Sequence, residues 1–217
     1  MLQVIPFFSA LNAQQLASVG AHTAWRAYER GAVILKEGDV ADSVYVIVSG
    51  QVKVYLVDPN DPAREVILKT LKSGDFFGEL PLFDPAPRNA SVAAMEPCQL
   101  QVLTFRAFQR AIQGSPEIAQ HVMATLAARL RHANQKIGTL AMMGIAGRVS
   151  RTLLELAIVS NGQRVVGEPF TQKDLASMIG ASREMVNRTL HDLQEDGMIS
   201  IHRKSITILD DRLAMQG

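Results

Sequence analysis

Between residues 119 and 140, apolar or small residues stand at Ala119, Met123, Leu126, Leu130, Ala133, Ile137 and Leu140, alternating steps of four and three without a slip. Such spacing marks a heptad seam, a narrow stripe that suits a second helix better than a broad sheet face. Gln120, His121, Arg129, Arg131, His132, Asn134, Gln135 and Lys136 lie between these positions, so the segment reads as one helix with a wet flank. Pro116 after Ser115 suits the first helical turn, and Gly144 marks the far end. An amphipathic helix packed on its own domain has a similar stripe. Here the helix joins a Gly-punctuated, strand-rich region to a short helical one, so it is expected to pair with its own copy and to link two modules.

At 217 residues the chain has enough mass for two small cored domains. Lys and Arg total 22 against 21 Asp and Glu, a formal charge of +1, so any polyanion site must be local. A lone cysteine, Cys98, excludes an internal disulfide and a cysteine-held cluster or structural zinc. Residues 1–11 show no basic region with a long apolar run behind it, and no stretch approaches the ~18 apolar residues of a membrane span. The expectation is a cytoplasmic protein with no membrane partner.

Residues 2–19 read as a short helical lead with Ser9 and Asn12 as candidate caps. From residue 24 to 105 the pattern becomes β-rich, with strands predicted at 33–35, 43–48, 52–57, 65–71, 90–94 and 99–104 and glycines at the joints. Several short strands at this spacing predict a β-sandwich or barrel. Residues 58–62 predict a Pro-stiffened exposed flap, and 105–113 open the helical half. A helix is predicted over 148–157, with Val149, Leu153, Leu156 and Ala157 inward and Ser160-Asn161-Gly162 ending it.

Residues 171–193 point most directly to function. Thr171 with Asp174 predicts a capping box opening a short helix, with Leu175, Met178 and Ile179 inward. Gly180 supplies a turn and Ser182 caps a second helix, together a helix-turn-helix. With Arg183 at the origin, Asn187, Glu184 and Arg188 fall within about 140° on one face, while Met185, Val186, Leu190 and Leu193 take the opposite arc. Arg donates two parallel bonds to guanine O6 and N7, and Glu accepts from cytosine N4. The following hairpin, 199–209, reads as a wing with Ile199, Ile201, Ile206 and Ile208 inward and His202-Arg203-Lys204 at its tip. From residue 144 onward nine Lys or Arg balance nine Asp or Glu. Double-stranded DNA must therefore be met by local placement, with Lys173, Arg183, Arg188, Arg203 and Lys204 near the duplex.

With these residues in place, the chain resembles the CRP/FNR superfamily of transcription regulators, closest to the cyclic-AMP receptor type, over roughly residues 7–209. Ser182-Arg183-Glu184-x-Val186-x-Arg188 is similar to the family's reading-helix motif, whose members bind palindromes of TGTGA-like half-sites. The resemblance implies guanine contacts from Arg183 and Arg188, a cytosine contact from Glu184, and phosphate contacts from Thr171, Lys173, Ser182 and His202. Gly74-Asp75-Phe76-Phe77-Gly78-Glu79-Leu80 followed by Arg88-Asn89-Ala90 resembles the family's phosphate-binding cassette. Gly78, Glu79, Leu80, Arg88 and Asn89 are then the expected effector contacts: backbone N–H groups and Arg88 on a phosphate, Glu79 on a ribose hydroxyl. An Arg–Glu pair of this kind also serves as a structural ion pair. Asn89 stands where family cyclic-nucleotide binders usually carry Ser or Thr, and Ala133-Asn134 replaces an adenine-facing Thr-Ser pair. Cyclic AMP, a cyclic dinucleotide such as cyclic di-GMP, and no ligand at all stay open as readings of the cassette.

The expected fold is α+β: an N-terminal cyclic-nucleotide-binding-type β-roll over 1–114, a dimerisation helix and hinge over 115–143, and a C-terminal winged helix-turn-helix over 144–217. The function expected is a homodimeric DNA-binding regulator that engages RNA polymerase if it activates. An enzyme is not expected, because no metal-ligand or nucleophile–base cluster accompanies the cassette, and no metal site is read in His22, His121, His132, His191 or His202. A nucleotide-binding adaptor that does not read DNA is the rival reading.

Overall fold

The computed structural model describes residues 23–167, 169–202, 205–210 and 213. The expected helical lead over 2–19 and the wing-tip cations Arg203 and Lys204 lie outside them. By backbone packing the chain divides into two units. One comprises the described residues through Leu56 with Leu68–Arg131; the other comprises Val57–Ile67 and the described residues from His132 onward.

The first unit is built on two four-stranded antiparallel sheets. β1 (Thr23–Tyr28), β8 (Cys98–Thr104), β3 (Ser43–Ser49) and β6 (Phe76–Phe77) form one in that order. The other runs β2 (Val33–Leu35), β7 (Ser91–Ala94), β4 (Gln51–Asp58) and β5 (Asp61–Lys72). β3 is apolar on both faces because both are covered. Val44 and Val46 pack with Phe76 of β6 and with Phe108 of the helix that follows β8, while Ile47 packs with Val52, Phe77 and Leu100 between the sheets. A one-residue slip of β3 would exchange the two sets, so the core fixes the β3–β8 register, Val44 opposite Leu103 and Ile47 opposite Leu100.

β1 was not expected from the sequence, and the reason is visible in its burial: four of its six residues are exposed, so it shows no alternation. The flap is also different. Its residues belong largely to β4 and to the long strand β5, which begins at Asp61, so a hairpin tip at Pro59-Asn60 replaces the loop read over 58–62.

Thr104 caps α2 (Phe105–Gly114), its Oγ1 accepting from the Ala107 amide. After buried Ser115 the chain enters α3 (Pro116–Met142), whose 27 residues make a rod about 40 Å long. Ile118 and Val122 enter the core of the first unit. Met123, Leu130 and Ile137 are 60–64% exposed, at steps of seven, and Leu140 is 42% exposed. Within the second unit, Lys136 Nζ on the same helix donates to the Ile67 carbonyl at 2.5 Å.

The second unit continues with α4 (Ile145–Leu156), starting three residues before the expected helix, then β9 (Ile158–Ser160) and β10 (Gln163–Val166). Asn161 (φ 51°) and Gly162 (φ 76°) are the two left-handed residues of a tight β9–β10 hairpin, so the motif read as a helix end is a turn between strands. α5 (Gln172–Ile179) and α6 (Arg183–Glu195) follow, and then β11 (Ile199–His202) and β12 (Ser205–Ile208), in a sheet ordered β11-β12-β10-β9. Val149, Leu153, Leu175, Ile179, Val186, Leu190, Leu193, Ile199, Ile206 and Ile208 close one core.

Candidate nucleotide site and nucleic-acid interface

The cassette turns at Gly78 (φ 79°) from β6 into α1 (Leu80–Phe83), a single turn. Glycine is required at this turn: a Cβ there would lie 2.7 Å from Arg88 Nη1. Arg88, 5% exposed, donates through Nη1 to the Gly78 carbonyl at 2.6 Å and through Nη2 to the Ser43 carbonyl at 2.8 Å. These bonds fix the guanidinium beside the turn and leave further N–H donors of its fork for an anion. Burial lowers its pKa, against the raising influence of Tyr45, Asp42, Glu79 and Asp39.

Glu79 is 3% exposed. Its carboxylate does not pair with Arg88; Oε1 accepts from Arg129 Nη1 at 2.7 Å. Arg129 also donates to the Phe76 carbonyl and stacks its guanidinium 4.7 Å from the Phe76 ring centre. The structural ion pair weighed from sequence therefore exists with a different arginine. Leu80 (43% exposed) and Asn89 lie outside this buried group.

Two residues of the site escaped the sequence reading. Arg129 was placed on the wet flank of the seam, although with Ile118 and Val122 it falls within about 40° on one helix face. Lys69, half-buried on β5, lies two residues from buried Ile67 on one side and from buried Leu71 on the other, a lysine in the register of two buried apolar residues. Its pKa is pushed down to about 8, first by burial and then by Arg129, while Glu79 and Asp75 oppose the shift. In the unfolded chain the amine keeps its ordinary value of 10.5, so between pH 8 and 10.5 the native state binds fewer protons and stability rises with pH. Lys69→Met is expected to stabilise the protein at pH 7 by up to about 3 kcal/mol. Thermal unfolding at pH 7 and pH 9.5 checks this, since the gain should shrink at the higher pH; an equal gain at both would show that Lys69 is not desolvated.

The second unit presents the other candidate surface. Thr171 Oγ1 accepts from the Asp174 amide, and the Asp174 carboxylate accepts from both the Thr171 amide and hydroxyl, at 2.8 and 2.6 Å. The capping box is complete, so Thr171's donors are already engaged. Gly180 (φ 66°) closes α5, and Ser182 Oγ caps α6 by accepting from the Met185 amide at 3.2 Å. Arg148 Nη1 reaches from α4 to the Ile179 carbonyl at 2.8 Å, bracing the end of α5 where the turn begins.

Arg183, Glu184, Asn187 and Arg188 are all exposed, and Val186, Leu190 and Leu193 are buried beneath them. Met185, expected inward, is 46% exposed and sits at the edge of the polar face. Lys173, Ser182 and His202 are exposed as well. His191, Asp192 and Glu195 cluster on α6, all exposed, with His191 Nδ1 3.6 Å from Glu195 Oε1. Among the described residues no helix is long and apolar enough to cross a membrane.

An antiparallel β-roll with a glycine-led cassette, joined through one long helix to a helix-turn-helix and a hairpin, defines a two-module DNA-binding regulator. Residues 25–115 match the cyclic nucleotide-binding domain model, and residues 147–213 match the Crp-like helix-turn-helix domain model. The chain is 32% identical to the cAMP-activated global transcriptional regulator CRP of Pasteurella multocida, over 85% of this chain and 90% of that protein. It is 35% identical to a CRP-like cAMP-activated global transcriptional regulator of Mycobacterium tuberculosis, over 86% of this chain and 85% of that one. Among solved structures, the c-di-GMP responsive global regulator CLP of Xanthomonas campestris superposes with a TM-score of 0.80 and 28% identity, covering 92% of this chain and 100% of CLP. The chain belongs to the CRP/FNR family of transcription regulators.

Proposed function

We propose that this regulator is a cytoplasmic homodimer that reads a palindrome of TGTGA-like half-sites through α6, under control of a nucleotide held in the β-roll. The observation that carries the reading is the face of α6: Arg183, Glu184 and Arg188 stand exposed on a capped helix whose opposite side is locked into the core. Arg183 and Arg188 read guanines and Glu184 the cytosine between them. Lys173, Ser182 and His202 take phosphates, and Thr171 joins them only by loosening its bonds to Asp174.

In this reading residues 1–114 sense, 115–143 dimerise and 144–217 read DNA. The exposed stripe Met123, Leu130 and Ile137 is the dimer seam, which sets two reading helices roughly 34 Å apart on successive major grooves. Leu130→Asp is expected to convert the dimer to a monomer in analytical ultracentrifugation at micromolar concentration; a retained dimer would move the interface elsewhere. Arg88 binds the effector phosphate, Gly78 and Leu80 contribute backbone N–H groups, Asn89 flanks them, and Glu79 accepts a ribose hydroxyl in place of Arg129. That exchange biases α3 and, in an activator, the surface presented to RNA polymerase.

The test is fluorescence anisotropy on a labelled TGTGA-type palindrome against a scrambled duplex at fixed salt, with and without cyclic AMP and cyclic di-GMP, for wild type and Arg88→Ala. Specific binding modulated by a nucleotide in wild type and indifferent to it in Arg88→Ala is the expected result. Equal affinity for both duplexes under every condition would overturn the assignment of the reading helix.

A further inference from the structure

One face of α3 changes along its length from apolar to cationic. Ile118 and Val122 are buried in the first unit's core, Arg129 donates to the Phe76 carbonyl and to Glu79, and Lys136, one heptad further on, donates to the Ile67 carbonyl at 2.5 Å. These four residues fall within about 40° of one another, and about 100° from Met123, Leu130 and Ile137. The face is separate from the exposed apolar stripe, so a helix pair closed by that stripe does not use it.

Lys136 holds a strand that the packing divides. β5 splits between Ile67 and Leu68: Val57–Ile67 belongs with the residues from His132 onward, and the strand from Leu68 belongs with the first unit. α3 splits likewise between Arg131 and His132, so Lys136 and Ile67 both lie just past the division and in the same unit. β5 is the edge strand of its sheet, where a row of backbone groups has no ladder partner, and the Lys136 ammonium takes one of its carbonyls. Ile67 is fully buried, and the half-buried ammonium has its pKa held below 10.5 by that burial. A hydrogen bond from a desolvated ammonium contributes more than one from a solvated lysine. The other end of β5 runs into the cassette: Ser73-Gly74-Asp75 joins it to β6, and the Asp75 carboxylate accepts from the Lys72 amide at 2.9 Å.

We propose that Lys136 is a positioning residue for the nucleotide response: by clasping β5 at Ile67 it makes the tip of the β4–β5 hairpin part of the DNA-reading unit, so that a change in the cassette reaches that unit through β5 as well as through α3. The inference rests on the reading of the β-roll as a nucleotide sensor.

The full chain tests this as wild type, Lys136→Met, which keeps an unbranched side chain but loses the donor, and Lys136→Arg, which keeps a donor. Amides of residues 57–67 should exchange with deuterium roughly tenfold faster in Lys136→Met, while those of β3 and β8 keep their wild-type rates. Calorimetric affinity for cyclic AMP and cyclic di-GMP, and the affinity of the ligand-free protein for the palindrome, should stay within about twofold of wild type. The change in palindrome affinity that saturating nucleotide produces in wild type should shrink to about twofold or less, and Lys136→Arg should restore it. Unchanged exchange over 57–67, or a nucleotide response undiminished in Lys136→Met, overturns the clasp and leaves the sensor reading standing. Loss of nucleotide affinity itself would make Lys136 a ligand contact and overturn the positioning role. A wild type that discriminates the palindrome but responds to neither nucleotide overturns the sensor reading and this inference together.

Discussion

On the proposed reading, Arg183→Ala should lower affinity for the palindrome by roughly 10²- to 10⁴-fold, because each half-site would lose a bidentate guanine contact of about 1–3 kcal/mol and a dimer would lose two. The side chain is exposed at the first turn of α6 and makes no part of the second unit's core, so thermal stability should stay within about 0.5 kcal/mol of wild type. Binding to scrambled DNA should fall far less. Lys173→Ala provides the contrast: as the proposed phosphate contact, its loss should weaken both duplexes alike and reduce the salt dependence. Anisotropy titrations across a salt series separate the two behaviours. Equal losses on specific and scrambled DNA for Arg183→Ala would mean that the residue serves as a phosphate clamp and reads no base.

Gly50→Ala is expected to destabilise the β-roll by about 3 kcal/mol or more. Gly50 turns the chain from β3 into β4 at φ 90°, and a Cβ there would lie 2.6 Å from the Pro97 carbonyl oxygen, 2.7 Å from Cys98 Sγ and 2.9 Å from Cys98 Cα. Two of those atoms are backbone next to β8, so relief requires moving a central strand. Gly31 and Gly38 are the control. Their φ values of 86° and 84° are equally left-handed, yet a Cβ at either meets nothing within 4 Å, so alanine there should cost only about 1 kcal/mol. Urea unfolding of the full chain measures all three, and a Gly50→Ala midpoint matching the other two would show that the Pro97-Cys98 segment yields freely.

What the sequence made legible follows from where each interaction lives. The helix of α3, the capping box at Thr171, the αL turn at Gly180 and the polar face of α6 are local patterns, written within a few residues of one another, and the structure forms each of them. The Asn161-Gly162 turn was equally local but was assigned to the wrong element, since its two left-handed residues serve strands as readily as a helix end. Arg129 and Lys69 are a different case. Fifty residues separate Arg129 from Glu79, and nothing in the neighbourhood of either predicts their pairing. The motif Gly78 to Arg88 resembles a phosphate-binding cassette in its local sequence, while the cation that pairs with its Glu79 came from α3 and became visible only with the chain folded.

The helix that holds the Glu79 carboxylate through Arg129 carries, at the very next residue, an exposed member of the apolar stripe, Leu130. Adjacent residues on a helix are about 100° apart, so a roll that releases Arg129 turns Leu130 by the same angle. In the proposed dimer closed by that stripe, each Glu79–Arg129 pair would stand one residue from its twin's contact surface, which would link the two occupancies thermodynamically. The saturation curve of the dimer should therefore depart from a simple hyperbola, with a Hill coefficient different from one. In the Leu130→Asp monomer the same titration should become hyperbolic.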